Sequence, residues 1–159
     1  MLEAAIVGCR RRIASIYDDL DDDKGTYNPN CPWMTDIEGA AAERALAKYM
    51  GVPWNGGVNT FKAPDVATFQ VRSTTLGHGS LILRHRDKKP DEIYVLVIGE
   101  CKRREPSDRP HGGKYVPIGW MTCREAKTPR WWRTDKNAWF VEQGALHDLT
   151  EIGIYERQG

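Results

Sequence analysis

The sequence predicts a mixed α/β domain of the α+β kind, in which a central mixed sheet with a three-stranded antiparallel meander is flanked by helices. Three observations predict it. Residues 2 to 20 and 35 to 50 repeat apolar residues at helical intervals. Three later runs, about 67 to 74, 80 to 86 and 93 to 99, have strand composition, and their short polar connections, TLGHG and DKKPDE, favour antiparallel neighbours. The last run, IYVLVIG, is apolar on both faces and therefore belongs at the centre of a sheet covered on both sides.

With 159 residues, 40% hydrophobic and 28% charged, residues 1 to 159 fit one domain with one core. Its parts are an N-terminal helix, a motif-bearing region at 35 to 126 and a tryptophan-rich segment at 129 to 159. Twenty-three basic and 22 acidic residues leave a formal charge of +1, so no global field draws the chain to a polyanion and any such contact must be local. No apolar run approaches the ~20 residues of a membrane span, and MLEAAIVGCRRR lacks the apolar core of a signal peptide, which together predict a cytoplasmic protein without a membrane partner. Cys9, Cys31, Cys101 and Cys123 show no C-x-x-C pairing and read most simply as reduced thiols; a zinc set of Cys31, Cys101, His111 and Cys123 is allowed by spacing but lacks paired ligands.

In the first helix Leu2, Ile6, Ile13, Ile16, Tyr17 and Leu20 form the stripe expected to pack on the body, and Arg10-Arg11-Arg12 reads as a solvated face that could touch phosphate. The acidic run from Asp18 to Asp23 opposes the dipole at the helix end and should fray it. The second helix opens with a capping-box pattern at Thr35 and Glu38 and stops at Gly51, with Pro53 beyond. Its apolar arc is Ile37, Ala41, Ala42, Ala45, Leu46, Tyr49 and Met50. Glu38 projects into the middle of that arc, where capping explains it, and Glu43 sits at the edge, where acids are usually solvated.

A short strand is expected at 58 to 61. In the next one Phe69 and Val71 share one face while Gln70 and Arg72 share the other. Residues 101 to 114, CKRREPSDRPHGGK, form a basic arm or flap with Lys102, Arg103 and Arg104, the kind of segment phosphates attract. A strand at 115 to 121 then leads into a short helix, TCREAK. The run PRWWRTDKNAWFV combines three tryptophans with two arginines, which is stacking chemistry for bases, although two of the three are expected in the core. The end carries a turn and an edge strand, EIGIYE.

Pro90-Asp91 and Glu100-Cys101-Lys102 spell the signature of a large metal-dependent nuclease superfamily, but geometry rejects the match. Asp91 begins the strand that ends near Glu100, and nine residues at ~3.3 Å each separate the two carboxylates by ~30 Å. Two carboxylates must approach within a few Å to share one cation.

A different set of residues carries a resemblance. Gly39-x-x-Ala42-Glu43-x-x-x-Ala47-x-Tyr49-Met50-Gly51, followed by Pro64-Asp65 and Gln70-Val71-Arg72, resembles the Holliday-junction-resolvase-like members of the PD-(D/E)xK superfamily. The order of helix, tryptophan loop, DV…QVRST, LVIG strand and GW segment is also similar to small uncharacterised bacteriophage proteins, and together these cover about residues 38 to 120. The resemblance implies a restriction-endonuclease-like fold and a metal-dependent phosphodiesterase acting on nucleic acid. Glu43, Asp65 and the Gln70 carbonyl would hold Mg²⁺ or Mn²⁺, and Arg72 would stabilise charge on the phosphoryl group. Arg72, Lys102, Arg103 and Arg104 would grip the backbone, and a homodimer would serve to cut two strands. Gln70 stands where the family has an acid and Arg72 where it has lysine, and arginine clamps phosphate better than it tunes a water. These departures imply weakened or lost activity, so the alternative is a non-catalytic module on the same fold, binding nucleic acid or protein as a phage accessory factor. Small-molecule enzymes find little support: there is no Gly-rich phosphate loop, no G-x-S-x-G and no paired metal histidines.

Overall fold

A computed structural model describes residues 1–18, 32–58, 64–100 and 114–152. The expected arm residues Lys102, Arg103 and Arg104, the zinc candidates Cys31, Cys101 and His111, Leu20, and most of the expected strands at 58–61 and 151–156 lie outside these residues.

The described residues form a mixed α+β structure with three α-helices and two small sheets. The helices are α1 (Leu2–Tyr17), α2 (Pro32–Met50) and α3 (Cys123–Ala126). One sheet, in the order β1-β3-β4, is built from β1 (Phe69–Thr74), β3 (Ile93–Glu100) and β4 (Lys114–Thr122); the other, in the order β2-β6-β5, from β2 (Leu81–Leu83), β5 (Trp132–Arg133) and β6 (Ala138–Val141).

The antiparallel meander does not form. β1 and β3 are parallel, in register from Phe69↔Ile93 to Thr74↔Ile98, while β2 leaves to pair antiparallel with β6 through Leu81↔Val141. Parallel neighbours need a crossover, and the whole passage from Thr75 to Glu92, with β2 inside it, supplies one. Short connections suggested neighbours, but Leu81 and Leu83, both wholly buried, are held by a strand some sixty residues later.

β3 occupies the predicted centre. Its odd residues Val95 and Val97 join Phe69 and Val71 of β1, Trp120 of β4 and Ala42, Leu46 and Ala47 of α2 in one core. Its even residues Tyr94, Leu96 and Ile98 join Leu81, Leu83, Val141, Cys123, Ala126 and Trp131 in another. Each fully buried large side chain contributes roughly 1.5–3 kcal/mol by leaving water. The molecule is thus layered as helix, three-stranded sheet and three-stranded sheet, with β3 lined on both sides.

α2 starts three residues before Thr35, with Pro32 in its first turn, so Thr35 and Glu38 lie inside the helix and form no capping box. Its stop is as expected, with Gly51 at φ 68° in the left-handed region that glycine accepts without strain. Tyr49, assigned to the packed arc, is 53% exposed.

α1 reverses its expected orientation. The face on α2 is made by small residues, Ala4 and Gly8, and by arginines; Leu2, Ile6, Ile13, Ile16 and Tyr17 face outward. The reason is closeness: a Cβ on Gly8 would lie 2.5 Å from the Ile37 Cα, so the helices meet backbone to backbone, where large side chains have no room. Arg11 and Arg12 extend past this contact to acids of α2, and the predicted solvated face holds only for Arg10.

Candidate functional site

Two groupings of polar side chains stand out, one between the helices and β1, the other on the second sheet. In the first, Arg11 donates from Nη1 and Nη2 to Glu43 Oε1 and Oε2 at 2.6 and 2.7 Å, and from Nε to the Gly57 carbonyl at 2.8 Å. Trp54 Nε1 donates to Glu43 Oε2 at 3.3 Å. Burial alone would lower the Arg11 pKa; the hydrogen bond and charge of Glu43 outweigh it and hold the guanidinium more firmly protonated than usual. Glu43, expected at a wet helix edge, is 5% exposed because α1 covers that edge. Glu38, a third of the way up the same helix, is pushed up by partial burial.

Asp65 stands in a tight turn into β1. The Phe69 carbonyl accepts from the amides of Asp65 and Val66 at 2.9 and 3.1 Å, Phe69 returns its own amide to the Val66 carbonyl, and Ala67 takes φ 50° to close the turn. The Asp65 carboxylate accepts the Val71 N–H at 2.7 Å. Among the described residues β1 is an edge strand, so this contact satisfies a backbone donor that no described strand pairs with. Burial, then the neighbouring Glu43 charge, raise the Asp65 pKa against the Val71 hydrogen bond and the Arg72 and Arg11 charges.

Gln70 and Arg72 go the other way. Their register partners are Tyr94 and Leu96, whose side chains line the second-sheet side of β3. Gln70 Nε2 donates to Glu92 Oε1 at 3.1 Å, Arg72 Nη2 to Asp87 Oδ1 at 2.9 Å, and the Arg72 guanidinium lies 4.9 Å from the Tyr94 ring centre. Tyr94 also donates to Glu92 at 2.7 Å. Asp87, 7% exposed, receives Arg84 N–H on its other oxygen at 2.7 Å.

The four residues proposed from sequence therefore separate into two pairs. Glu43 and Asp65 interact electrostatically on the helix side, whereas Gln70 and Arg72 are bound to acids on the opposite side of β1. The donor set does not fit a divalent cation as arranged: both Glu43 oxygens hold Arg11, one Asp65 oxygen holds a backbone amide, and the Gln70 amide is turned away. Among the described residues no group of three or more His, Cys, Asp or Glu side chains is placed to hold a metal. Asp91 and Glu100 stand at opposite ends of the continuous β3 region, as the strand argument required, and Asp91 pairs with Arg124 at 2.7 Å.

The second grouping lies at the outer end of the β2-β6-β5 sheet. His85, just past β2, meets Trp132 of β5 and Trp139 of β6 with ring centres 5.2 and 5.0 Å apart, both edge-on, and the two tryptophans are 4.6 Å apart. Lys127 Nζ lies 4.7 Å from the Trp139 ring centre and also donates to the Asp87 carbonyl. His85 Nε2 is 3.1 Å from Asn137 Oδ1, which anchors the ring to the hairpin turn. Trp132 and Trp139 are half-buried and His85 is exposed; Trp131 lies in the second core and Trp139 packs against it, which leaves Trp132 as the tryptophan outside the core. Arg86 and Lys88 after β2, Arg130 before β5, Arg133 in β5 and Lys136 in the turn that follows it are exposed. The tryptophan run was visible in the sequence, but His85 and Lys127 were not: they come from separate stretches that the sheet brings together.

No family model, curated protein or solved structure matches this chain. Its candidate sites therefore rest on geometry. One open depression of about 370 Å³, lined by residues including Arg44, Lys48, Val52 and Trp54, contains neither Asp65 nor the Trp132–Trp139 pair.

Proposed function

We propose that this chain is a non-catalytic nucleic-acid-binding module, engaging single strands through the His85, Trp132 and Trp139 cluster and its basic surround. The observation that carries this is a cluster of half-buried aromatic rings with exposed cations near it in sequence: a base would stack at the edge of the Trp132–Trp139 pair, and phosphates on either side would meet Arg133, Lys136 and Arg130. Stacking of this kind is worth roughly 1–3 kcal/mol per base and tolerates any sequence. The near-neutral total charge fits a local contact.

The resemblance to PD-(D/E)xK proteins and to small phage proteins supports nucleic acid as the ligand class, a restriction-endonuclease-like scaffold and a cytoplasmic accessory role. Against hydrolysis stands the Arg11–Glu43 pair, which occupies the carboxylate that catalysis would need. One observation favours the nuclease reading: Asp65 sits near enough to Glu43 for the Glu43 charge to push the Asp65 carboxyl up. That reading requires Arg11 to release Glu43.

The test is a titration of the full chain with a fluorescein-labelled oligo-dT, followed by anisotropy and by intrinsic tryptophan fluorescence. We expect saturable binding that quenches tryptophan emission, weakens steeply with salt, and falls roughly tenfold or more in Trp132→Ala. Binding unaffected by Trp132→Ala and by Arg133→Ala would overturn the assignment of this surface.

A further inference from the structure

We infer that His85 is a proton-controlled contact of the aromatic surface: with the single strand proposed above as ligand, its imidazole gains a charge as a phosphate docks, binding tightens in acid, and Asn137 holds the ring in position. His85 stands in a turn that Asp87 closes twice, its amide donating to the Arg84 carbonyl at 3.1 Å and its Oδ2 accepting from the Arg84 amide at 2.7 Å. Asp87 is itself held by Arg72 at 2.9 Å. The ring is fixed from the neighbouring strands, with Nε2 3.1 Å from Asn137 Oδ1 and edge-on contacts to Trp132 and Trp139. An exposed imidazole ordinarily samples several rotamers. This one is exposed, yet its backbone and its ring are both held. A side chain ordered before the ligand arrives costs the ligand less to engage.

Asn137 supplies a second observation. It takes φ 50° in the turn between β5 and β6, in the left-handed region that few residues other than glycine accept. Glycine would serve the turn alone; asparagine adds an amide oxygen that meets His85 across 52 residues of chain. That oxygen only accepts, so Nε2 carries the hydrogen and Nδ1 is the nitrogen left to change state. Neutral, Nδ1 offers a lone pair. Protonated, it offers an N–H donor and a positive charge, which suits a phosphate oxygen.

The surrounding charges make the proton depend on the ligand. On the elements around His85 the cations are Arg84 and Arg86 beside it in the chain, Lys127 over Trp139, and Arg133 and Lys136 in the hairpin. The carboxylates are Asp87, held by Arg72, and Asp135, 3.9 Å from Lys136. An imidazolium among these cations and engaged carboxylates is opposed by its neighbours, and a phosphate docked on the same surface reverses the sign. Proton and phosphate therefore bind cooperatively, each strengthening the other by the same factor. Imidazole changes charge between about pH 5 and 8, so affinity is highest at the acid end and is lost as pH rises through that range.

The experiment follows a tetramethylrhodamine-labelled oligo-dT by anisotropy at about pH 5.5 and about pH 8 over a series of salt concentrations, with the full natural chain, His85→Gln and Asn137→Gly. Thymine does not titrate in that range, and unchanged circular dichroism at both pH values shows that each variant is folded. One added phosphate contact on a single strand steepens the salt slope by about 0.7, which at about 0.1 M salt is a gain of about fivefold in acid. Each chain is compared by the ratio of its own two affinities. His85→Gln should lose the gain, and Asn137→Gly, whose glycine takes the turn without strain, should keep under about half of it. A gain that survives His85→Gln overturns the proposal, because the proton is then taken up elsewhere. Binding with no gain in acid also overturns it and leaves the nucleic-acid reading in place. A full gain in Asn137→Gly overturns the positioning role of Asn137. No binding at either pH overturns the nucleic-acid reading and this contact with it.

Discussion

The polar groups on the helix side of the central sheet and those at the outer end of the second sheet have opposite arrangements. Between α1, α2 and β1, all three donor positions of Arg11 are used, both Glu43 oxygens accept, and Asp65 caps an edge amide. Around Trp132 and Trp139, half-buried rings stand beside exposed His85 and exposed cations. Chemistry-bearing residues in the first region are consumed by holding elements together, and those in the second include exposed side chains, His85 and Arg133 among them, on which the proposed binding rests. Burial of a charged residue is thus a poor guide to function when its partners saturate it.

The largest expected effect breaks the closed region. Glu43→Ala leaves the Arg11 guanidinium in a partly dry position without its carboxylate and should cost about 3 kcal/mol in urea denaturation. The double variant Arg11→Met, Glu43→Ala should recover most of that loss, because no uncompensated charge remains. A catalytic carboxylate held for a metal predicts the reverse, a single variant at least as stable as the natural protein.

Next comes Gly8→Ala, whose added methyl meets the Ile37 backbone at 2.5 Å. Separating α1 from α2 should cost about 1–3 kcal/mol and weaken the Arg11–Glu43 geometry with it. A thermal melt within a degree of the natural protein would contradict the close crossing.

A smaller effect distinguishes the two sides of β1 by pH. Burial pushes the Glu92 carboxyl up, but hydrogen bonds from Tyr94, Lys89 and Gln70 outweigh it and hold the group below its ordinary 4.5. Its stabilisation is therefore complete above that value and is lost as pH falls through the lowered one. Asp65 has the opposite sign. Its folded pKa lies above the ordinary 3.8, so ionisation costs folding free energy, a cost absent below 3.8 and complete once pH exceeds the raised value. Denaturation at pH 3 to 7 should show Glu92→Gln about 1 kcal/mol less stable at neutral pH, with the deficit closing on acidification. Asp65→Asn, whose amide oxygen can still accept from Val71, should gain on the natural protein as pH rises. Parallel pH trends for the two variants would refute this contrast.

Much of the frame was legible in the sequence. IYVLVIG announced a central strand by being apolar on both faces, the Gly51 stop ended α2, and GWM with TCREA marked β4 and α3. What failed depended on distant partners. The parallel β1–β3 pairing is set by β2 finding β6, which loop length cannot express. The α1 stripe looked like a core face, but Gly8, a single missing side chain, determines which side approaches α2. Among site residues, Glu43 and Asp65 were placed together, whereas the alternation already visible in Phe69-Gln70-Val71-Arg72 sends Gln70 and Arg72 to the side away from α2. The aromatic cluster was half visible, since Trp132 and Trp139 are neighbours in sequence and His85 is not.

The central claim is that the open aromatic surface binds and the closed carboxylates do not cut. Incubating a labelled single-stranded oligonucleotide with the natural chain, Trp132→Ala and Asp65→Asn, each in EDTA and in Mg²⁺ or Mn²⁺, measures both binding and cleavage. The account predicts equal binding with and without the cation, no cleavage, a loss of roughly tenfold in Trp132→Ala and none in Asp65→Asn. Cleavage that requires the cation, disappears in Asp65→Asn and persists in Trp132→Ala would contradict it.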